Sequence, residues 1–240
     1  IGPSSDSKEV IEKLIDAGAD AFRFNFSHGT HAEHKARYDI VRKLSEQKGI
    51  HITLIADMQG PKLRVGEFKN GQVLLKEGQT FKFDMEEKPG DEQRVTLPHP
   101  EIFQAVKAGD ELLLNDGNIR LHVDKCDKKN IWTTVNVGGI LSGHKGVNLP
   151  NITLPISAIT KKDEEDLKFA LKLGFDWICL SFVQKADDVR MAKKLIGDKA
   201  WVISKLEKPN AINELDEIIK LSDGIMVARG DLGVECPIQT

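Results

Sequence analysis

Hydrophobic residues recur along the chain with two periods, which predict alternating helices and strands at both ends of the sequence. In residues 7–18 the apolar residues Val10, Ile11, Leu14 and Ile15 fall on one face of a helix. A short alternating or fully apolar run follows each predicted helix, as expected for a strand. The predicted helices are 7–18, 30–48, 161–174, 186–196 and 210–221, and the predicted strands are 20–26, 51–56, 177–182, 201–206 and 224–228. This order predicts a parallel sheet with right-handed crossovers, closed as a barrel or left open.

The middle of the chain, from about residue 61 to residue 145, has a different pattern. Short strand-like runs are separated by turns rich in Gly, Asp and Lys, and the Asn-Asp-Gly sequence at 115–117 is a strong hairpin signal. The glycine-rich run 137–146 is predicted to form a turn rather than a phosphate-binding loop, because no GK[ST] sequence follows it. The pattern therefore predicts a small all-β domain set into the helix–strand series.

The composition narrows the class of protein. The chain has 240 residues, of which 40% are hydrophobic and 30% charged, as in globular proteins of one large or two smaller domains. No apolar run approaches the ~20 residues that a membrane helix needs, and residues 1–10 lack the pattern of a secretory signal. These features predict a cytoplasmic protein with no membrane partner, and the absence of an initiator Met predicts a fragment of a longer chain.

The cysteines and the charge balance argue against a disulfide framework, a zinc site and a nucleic-acid partner. Cys126, Cys179 and Cys236 are odd in number and far apart, so they favour a reducing compartment over a disulfide framework or a zinc site. Lys and Arg total 34 against 37 Asp and Glu, and the resulting net charge of −3 argues against a nucleic-acid partner.

Charged residues cluster at the ends of the predicted strands. In a (β/α)8 barrel the C-terminal strand ends build the active site, so charges at such ends are expected to meet in one cleft. For any one of them a solvated loop or cap position is the alternative, but charges gathered in a cleft have to be paired or to bind something. The residues concerned are Arg23, Asp57, Lys205, Glu207, Arg229 and Asp231.

Two of these positions are suited to a metal ion. Lys205 and Glu207 are two apart in an extended segment, so their side chains leave it on the same side. Glu207 and Asp231 follow adjacent predicted strands and could share one hard cation, since Mg²⁺ is typically held by one or two carboxylates plus substrate oxygens and water. That pattern suits phosphoryl transfer, where charge neutralisation and positioning supply most of the catalysis.

Six motifs carry a family resemblance. In chain order they are FRFNFSHG, DMQGPKLR, HKGVNLP, SFVQKADDV, ISKLE and SDGIMVARGDLGVE, and they extend from residue 22 to residue 235. Their order and spacing resemble those of pyruvate kinases. The resemblance implies a cytoplasmic phosphotransferase that uses Mg²⁺ or Mn²⁺ to move a phosphoryl group from phosphoenolpyruvate to ADP, giving pyruvate and ATP in the last step of glycolysis.

The resemblance also implies a fold and an assembly. Pyruvate kinases have a (β/α)8 barrel, which is incomplete in this chain, with a small all-β barrel domain inserted after the third strand. The first part of the barrel corresponds to residues 1–60, the inserted lid domain to 61–146, and the second part of the barrel to 147–240. A homotetramer is implied for the full-length protein.

Individual roles follow from motif position. Arg23 is expected to contact the transferred phosphate, and Lys205 to stabilise charge on the phosphoryl group and on the enolate. Glu207 and Asp231 are expected to ligate the divalent metal. The resemblance assigns the substrate-binding turn to Ala228, Arg229, Gly230 and Asp231, the nucleotide phosphates to Arg64, Lys145 and His28, and a monovalent-cation pocket to Asn25, Ser27, Asp57 and Met58.

One motif departs from the common family pattern. Many pyruvate kinases need K⁺ and carry D-T-K-G-P-E at the third strand, whereas residues 57–62 here read DMQGPK. Lys62 in place of Glu disfavours a cation nearby and can supply positive charge itself. Family members with Lys at this position are associated with activity that does not depend on K⁺, so the same is expected here. A solvated Lys62, with K⁺ still bound in the pocket, is the alternative.

Two other functions fit part of the pattern. Another Mg²⁺-dependent barrel acting on an enolate, such as an aldolase or a carboxyl lyase, would share the metal but would not need the β insert or its Lys145. A catalytically inactive interaction module descended from the kinase is the second alternative, and loss of Lys205 or of a metal carboxylate would have favoured it; all are present.

Overall fold

The computed structural model describes residues 1–150 and 152–236. Asn151 and residues 237–240, which fall in the predicted segment 147–240, lie outside the described residues. The chain divides into two compact units, and each unit takes in more than one stretch of sequence. The first contains Ile1–Pro61, Ser157–Leu206 and Glu214–Val227, and the second contains Lys62–Ile156, Glu207–Asn213 and Ala228–Thr240 so far as these are described.

Helices and strands alternate in the flanking parts of the chain, and strands dominate its middle. In the described residues the helices are α1 (Lys8–Asp16), α2 (His31–Lys48), α3 (Pro100–Ala105), α4 (Lys161–Leu173), α5 (Ala186–Ile196), α6 (Asn210–Asn213), α7 (Leu215–Leu221) and α8 (Arg229–Glu235). The strands are β1 (Ala21–Asn25), β2 (Thr53–Asp57), β3 (Gln72–Leu75), β4 (Thr80–Asp84), β5 (Arg94–Thr96), β6 (Glu111–Leu114), β7 (Ile119–Cys126), β8 (Asn130–Val137), β9 (Gly139–Ser142), β10 (Val147–Asn148), β11 (Trp177–Leu180), β12 (Trp201–Leu206) and β13 (Gly224–Val227). Across this part of the chain, no helix is both long and apolar enough to cross a membrane.

The first unit is built on a parallel sheet. Its strands lie in the order β1, β2, β11, β12, β13, and every neighbouring pair is parallel. The carboxyl ends of the strands therefore lie along one edge, where Asp57 is in register with both Asn25 and Cys179. At the other end of the sheet the rings of Trp177 and Trp201 stack with centroids 5.9 Å apart. The fold is mixed α/β, as the sequence predicts.

Local sequence signals fix the ends of the helices. The Thr30 side chain accepts from the backbone N–H of Glu33, whose carboxylate accepts in return from the Thr30 N–H, so α2 starts with a capping box. Thr160 and Asp163 form the same arrangement at α4. Helix α2 ends at Gly49, whose φ of 64° is a left-handed conformation that glycine adopts without a Cβ penalty.

His34 anchors helix α2 to the apolar core of the first unit. Only 3% of the residue is exposed, and its ring stacks on Phe26 with centroids 4.2 Å apart. Its Nε2 lies 3.0 Å from the carbonyl oxygen of His28, and its buried Nδ1 has no hydrogen-bond partner among the described residues. Burial lowers the pKa of His34 below its usual 6.5, although the hydrogen bond to His28 acts in the opposite direction.

We expect acidification to destabilise the first unit through His34. Because the folded-state pKa is depressed, the unfolded chain takes up the proton more readily than the folded chain does. This contribution to the free energy of unfolding is therefore fully present above 6.5 and is lost as the pH falls through that value towards the lowered pKa. Urea unfolding between about pH 8 and about pH 5 should show a steeper decline for the wild type than for His34→Gln. The exposed His51→Gln serves as the control, and equal pH dependence in wild type and His34→Gln would contradict the prediction.

The second unit consists mainly of antiparallel strands around its own core. One sheet has the order β10, β6, β7, β8, β4, β5, in which only the β4–β5 pair is parallel, and β3 pairs with β9 in a separate antiparallel ribbon. Strands β6 and β7 join through the predicted hairpin turn, where Asn115, Asp116 and Gly117 have φ values of 50°, 57° and 81°. The largest fully buried side chains of this core include Phe81 and Phe83, whose rings meet edge to face.

A buried ion pair joins two strands of the second unit. Asp84 is 2% exposed and Arg94 is 7% exposed; Arg94 Nε donates to Asp84 Oδ2 at 3.0 Å, and a second nitrogen donates to Oδ1. Arg94 also donates to the carbonyls of Lys88 at 2.8 Å and Glu86 at 3.1 Å. Burial acts to raise the pKa of Asp84, but hydrogen bonds from Arg94 and Lys82 outweigh it and hold that pKa below its usual value.

The structure corrects three local predictions. The run predicted as a turn contains strand β9, whose residues pair with β3, so the prediction for Gly139–Ser142 is wrong. The predicted helix 210–221 is two helices, α6 and α7, interrupted at Glu214. The middle segment also contains one short helix in the described residues, α3, which the all-β prediction did not include.

Candidate active site

The carboxylate of Asp57 is the centre of a charged cluster in the first unit. Asp57 is the last residue of β2 and is 2% exposed. Arg23, from the neighbouring strand β1, donates from Nε to Asp57 Oδ2 at 2.7 Å. Lys205, near the end of β12, places Nζ 3.3 Å from Asp57 Oδ1. The parallel register of the sheet therefore brings together three charges that are far apart in the sequence.

Ser181 completes this cluster, and the sequence analysis did not assign it a role. Its Oγ accepts from Lys205 Nζ at 2.9 Å, donates to the Met58 carbonyl at 2.7 Å and lies 3.4 Å from Asp57 Oδ1. The residue is 3% exposed. The available sequence signal was a polar residue directly after the apolar strand β11. In the structure the next residue, Phe182, has a positive φ of 56°.

Gly60 fits closely against the same strand end. A Cβ added at this position would lie 2.9 Å from the Ser181 carbonyl oxygen, and Gly60 has a φ of 65°. Both the space and the left-handed backbone require glycine here. The close approach holds the chain after β2 against the residues that carry Ser181.

Two basic side chains, those of Arg23 and Lys205, contact the buried carboxylate of Asp57. The Lys205 side chain is only 11% exposed, whereas that of Arg23 is 51% exposed. The accessible guanidinium of Arg23 is a suitable donor for an anion such as a phosphate.

The residues assigned to a monovalent-cation pocket lie at the same edge of the sheet. Asn25 Oδ1 accepts from the backbone N–H of Ser27 at 3.0 Å, and the Met58 carbonyl accepts from Ser181. Both oxygens of Asp57 contact a cationic side chain. The oxygens of Asn25, Met58 and Asp57 therefore already have partners within the protein.

The predicted metal ligands belong to the second unit. Glu207 directly follows β12 and is 2% exposed, and Asp231 lies in the first turn of α8 with 28% of its side chain exposed. Asp231 Oδ1 lies 3.5 Å from Lys62 Nζ. Nowhere in residues 1–150 and 152–236 do three or more His, Cys, Asp or Glu side chains gather as a metal site. Two carboxylates match the donor set of Mg²⁺, which takes its remaining ligands from substrate and water.

The remaining assigned residues divide between the units. In the second unit, the Arg64 N–H donates to His99 Nε2 at 3.0 Å, its guanidinium donates to the His144 carbonyl at 3.0 Å, and the Val65 N–H donates to the Lys145 carbonyl at 3.0 Å. Ala228 is the N-cap of α8, and its carbonyl accepts from the Leu232 N–H. Arg229 and Gly230, which follow it, are exposed. In the first unit, His28 is exposed and contributes its carbonyl to His34.

Comparisons with known proteins find similarity to pyruvate kinases over the whole chain. The family model of the pyruvate kinase barrel domain matches residues 1–240. A pyruvate kinase of Methylorubrum extorquens is 47% identical over 239 residues, which cover 100% of this chain and 50% of that protein. A pyruvate kinase of Agrobacterium vitis is 47% identical over 238 residues (99% and 50%), and one of Mycobacterium intracellulare is 40% identical over 242 residues (100% and 51%). The chain thus spans about half the length of these relatives.

Proposed function

This chain belongs to the pyruvate kinase family, and on that premise we propose that the protein transfers a phosphoryl group from phosphoenolpyruvate to ADP, giving pyruvate and ATP. The observation that carries the proposal is the cluster of Arg23, Lys205 and Ser181 around the buried Asp57, at the carboxyl edge of a parallel sheet. Active sites of barrel enzymes occupy this edge.

The proposal includes a finer architecture. The sheet of the first unit is part of a (β/α)8 barrel, and the strands between residues 61 and 146 are an inserted β-barrel lid domain. The full-length protein is a cytoplasmic homotetramer. The family match and the chain-order arrangement of β1, β2, β11, β12 and β13 support the barrel.

Arg23 and Lys205 act on the transferred group. The exposed guanidinium of Arg23 binds the phosphate, and Asp57 orients it through the 2.7 Å hydrogen bond to Nε. Lys205 is held by Ser181 and Asp57, so its ammonium is in place before the bond breaks and stabilises charge on the phosphoryl group and on the enolate oxygen. Preorganised charges of this kind need no reorganisation during the reaction.

Glu207 and Asp231 hold the divalent cation, Mg²⁺ or Mn²⁺. When bound, that cation neutralises negative charge on the phosphate oxygens. The backbone N–H groups that follow Ala228, including those of Arg229 and Gly230, bind the substrate carboxylate. Arg64 and Lys145, together with His28, bind the nucleotide phosphates; the exposed guanidinium of Arg64 supports that role.

The direct test is a coupled assay on the full-length protein. Pyruvate should form from phosphoenolpyruvate only when both ADP and Mg²⁺ are present. Phosphate release without ADP would indicate a hydrolase, and carbon–carbon cleavage or carboxylation activity on an enolate substrate would favour the other barrel chemistries. An inactive full-length protein that still binds these ligands would favour the interaction module.

We also propose that catalysis does not require K⁺. A cation about 5 Å from an ammonium is repelled by about 3 kcal/mol at an effective dielectric near 20, so lysine in place of the family's common glutamate at position 62 disfavours a cation near it. Both carboxylate oxygens of Asp57 already contact a cationic side chain, which supports the same conclusion.

Potassium dependence provides the measurement. Initial velocities in tetramethylammonium buffer should change little when K⁺ is added at constant ionic strength. Lys62→Glu, which restores the charge common in the family, should gain activity on addition of K⁺. A rise of about a hundredfold for the wild type, equivalent to ~2.7 kcal/mol, would show that Lys62 does not replace the ion.

A further inference from the structure

A buried cluster in the second unit ties helix α8 to the segment Glu207–Asn213. Glu235, the last residue of α8, is 6% exposed, and its Oε1 accepts two hydrogen bonds. One comes from Asn148 Nδ2 of strand β10 at 2.9 Å, and the other comes from Lys208 Nζ. We call Asn148, Lys208 and Glu235 the Glu235 cluster. A carboxylate buried to this degree is stable only when paired and hydrogen-bonded, and these two donors satisfy that requirement.

The members of this cluster are adjacent to both assigned metal ligands. Lys208 follows Glu207 directly in the sequence. Glu235 is four residues after Asp231 in the same helix, so the two side chains lie on one face and one turn apart. The Lys208–Glu235 ion pair therefore joins the two chain segments that carry Glu207 and Asp231. Lys208 is one residue from Glu207, and Glu235 is one helical turn from Asp231.

Other contacts hold α8 in the same position. A Cβ at Gly117, in the β6–β7 turn, would lie 3.2 Å from Val234 Cγ1, so the turn packs directly on the helix. Asn148 adds a second connection, because it belongs to strand β10, which pairs with β6. The Glu235 cluster thus provides polar contacts from α8 to both the Glu207 segment and the sheet.

We propose that Glu235 and Lys208 are positioning residues of the divalent-cation site, which set the separation of Glu207 and Asp231 without touching the cation. The inference rests on the proposed function in so far as Glu207 and Asp231 hold that cation. Mutation of a residue that orients a metal ligand without touching the metal typically lowers the metal affinity by a factor of about 10–100. Loss of the ion pair frees the two segments to move separately, so the affinity for the cation falls.

The sign of one effect separates positioning from simple electrostatics. Lys208→Met removes a positive charge next to Glu207, and Coulomb attraction alone would then make cation binding tighter. Positioning predicts the opposite result, because the mutation removes the ion pair between Lys208 and Glu235. Lys208→Arg keeps the charge and the donor, and should keep the affinity.

The experiment measures the dissociation constant of Mn²⁺ for the full-length protein by electron paramagnetic resonance, without substrates. We expect Lys208→Met and Glu235→Gln to weaken binding about tenfold or more, and Lys208→Arg to stay within about threefold of the wild type. The exposed Glu217→Gln, which removes a carboxylate from helix α7 of the first unit, is the charge control and should bind as the wild type does. Unchanged or tighter binding by Lys208→Met would overturn the inference.

Two further results keep the outcomes distinct. If Glu235→Gln does not fold, as judged by circular dichroism, the comparison of Lys208→Met with Lys208→Arg decides the matter alone. A wild-type protein that fails to bind Mn²⁺ would overturn the proposed metal site and this inference together. A wild type that binds Mn²⁺, with variants that bind it equally well, would overturn the role of the Glu235 cluster and leave the proposed function intact.

Discussion

Replacing Lys205 by methionine should reduce kcat for pyruvate formation by a factor of ~10²–10³, equivalent to about 3–4 kcal/mol of transition-state stabilisation. The ammonium of Lys205 is held by Ser181 at 2.9 Å and by Asp57 at 3.3 Å, so in the proposed mechanism it is a preorganised charge. Methionine has a similar length and no charge. The substitution therefore removes the electrostatic contribution and keeps most of the packing.

The fold should survive this change. Asp57 keeps its hydrogen bond from Arg23, and Ser181 keeps its hydrogen bond to the Met58 carbonyl. The matched control is Lys220→Met, which removes an exposed ammonium and should leave kcat unchanged. Steady-state kinetics with both substrates saturating, and circular dichroism of each variant, are the measurements. Turnover of Lys205→Met close to that of the wild type would remove this residue from the mechanism.

Replacing Asp84 by alanine should lower the free energy of unfolding of the second unit by about 3–5 kcal/mol. The mutation leaves Arg94, which is 7% exposed, without the carboxylate that accepts from two of its nitrogens. A buried charge without its partner is far more costly than the pair was worth. Because hydrogen exchange reports stability locally, exchange of the amides in β4, β5 and β8 is the appropriate measurement.

The control for this experiment lies two residues away. Glu86→Ala removes an exposed carboxylate that pairs with Lys88, and it should leave the protection of the same amides nearly unchanged. The Asp84 effect should also depend on pH in one direction. Since the folded-state pKa of Asp84 is lowered, its contribution is present above the usual 3.8 and is lost as the pH falls below that value. Protection in Asp84→Ala equal to the wild type would show that the pair contributes little.

The sequence was informative where local chemistry decides the structure. Thr30 and Thr160 are capping residues whose effect is confined to one helical turn, and helices α2 and α4 begin directly after them. The Asn-Asp-Gly turn at 115–117 likewise needs nothing beyond its own backbone preferences. Arg23, Asp57 and Lys205 were identified as strand-end charges, and the parallel register brings these three into contact.

The missed features depend on contacts distant in the sequence. Helix α7 begins anew at Glu214, whose carboxylate accepts from the backbone N–H of Ala186, 28 residues earlier. Strand β9 begins at Gly139, a residue type with poor strand propensity, and pairing with β3 overrides that preference. Helix α8 contains Gly230 and Gly233, which disfavour helices, and its Glu235 is fixed by Asn148 and Lys208. No local pattern reports such partners.

The Asp57 cluster has a consequence for the order in which the protein acquires its structure. Asp57 precedes Lys205 by 148 residues and Ser181 by 124 residues, whereas Arg23 lies only 34 residues before it. Closing the longer separations costs more chain entropy, so we expect the contacts with Lys205 and Ser181 to form after the contact with Arg23. On the ribosome, a nascent chain can place Arg23 beside Asp57 long before the lysine has been synthesised. Complete burial of this carboxylate therefore marks the moment at which strand β12 has joined the sheet.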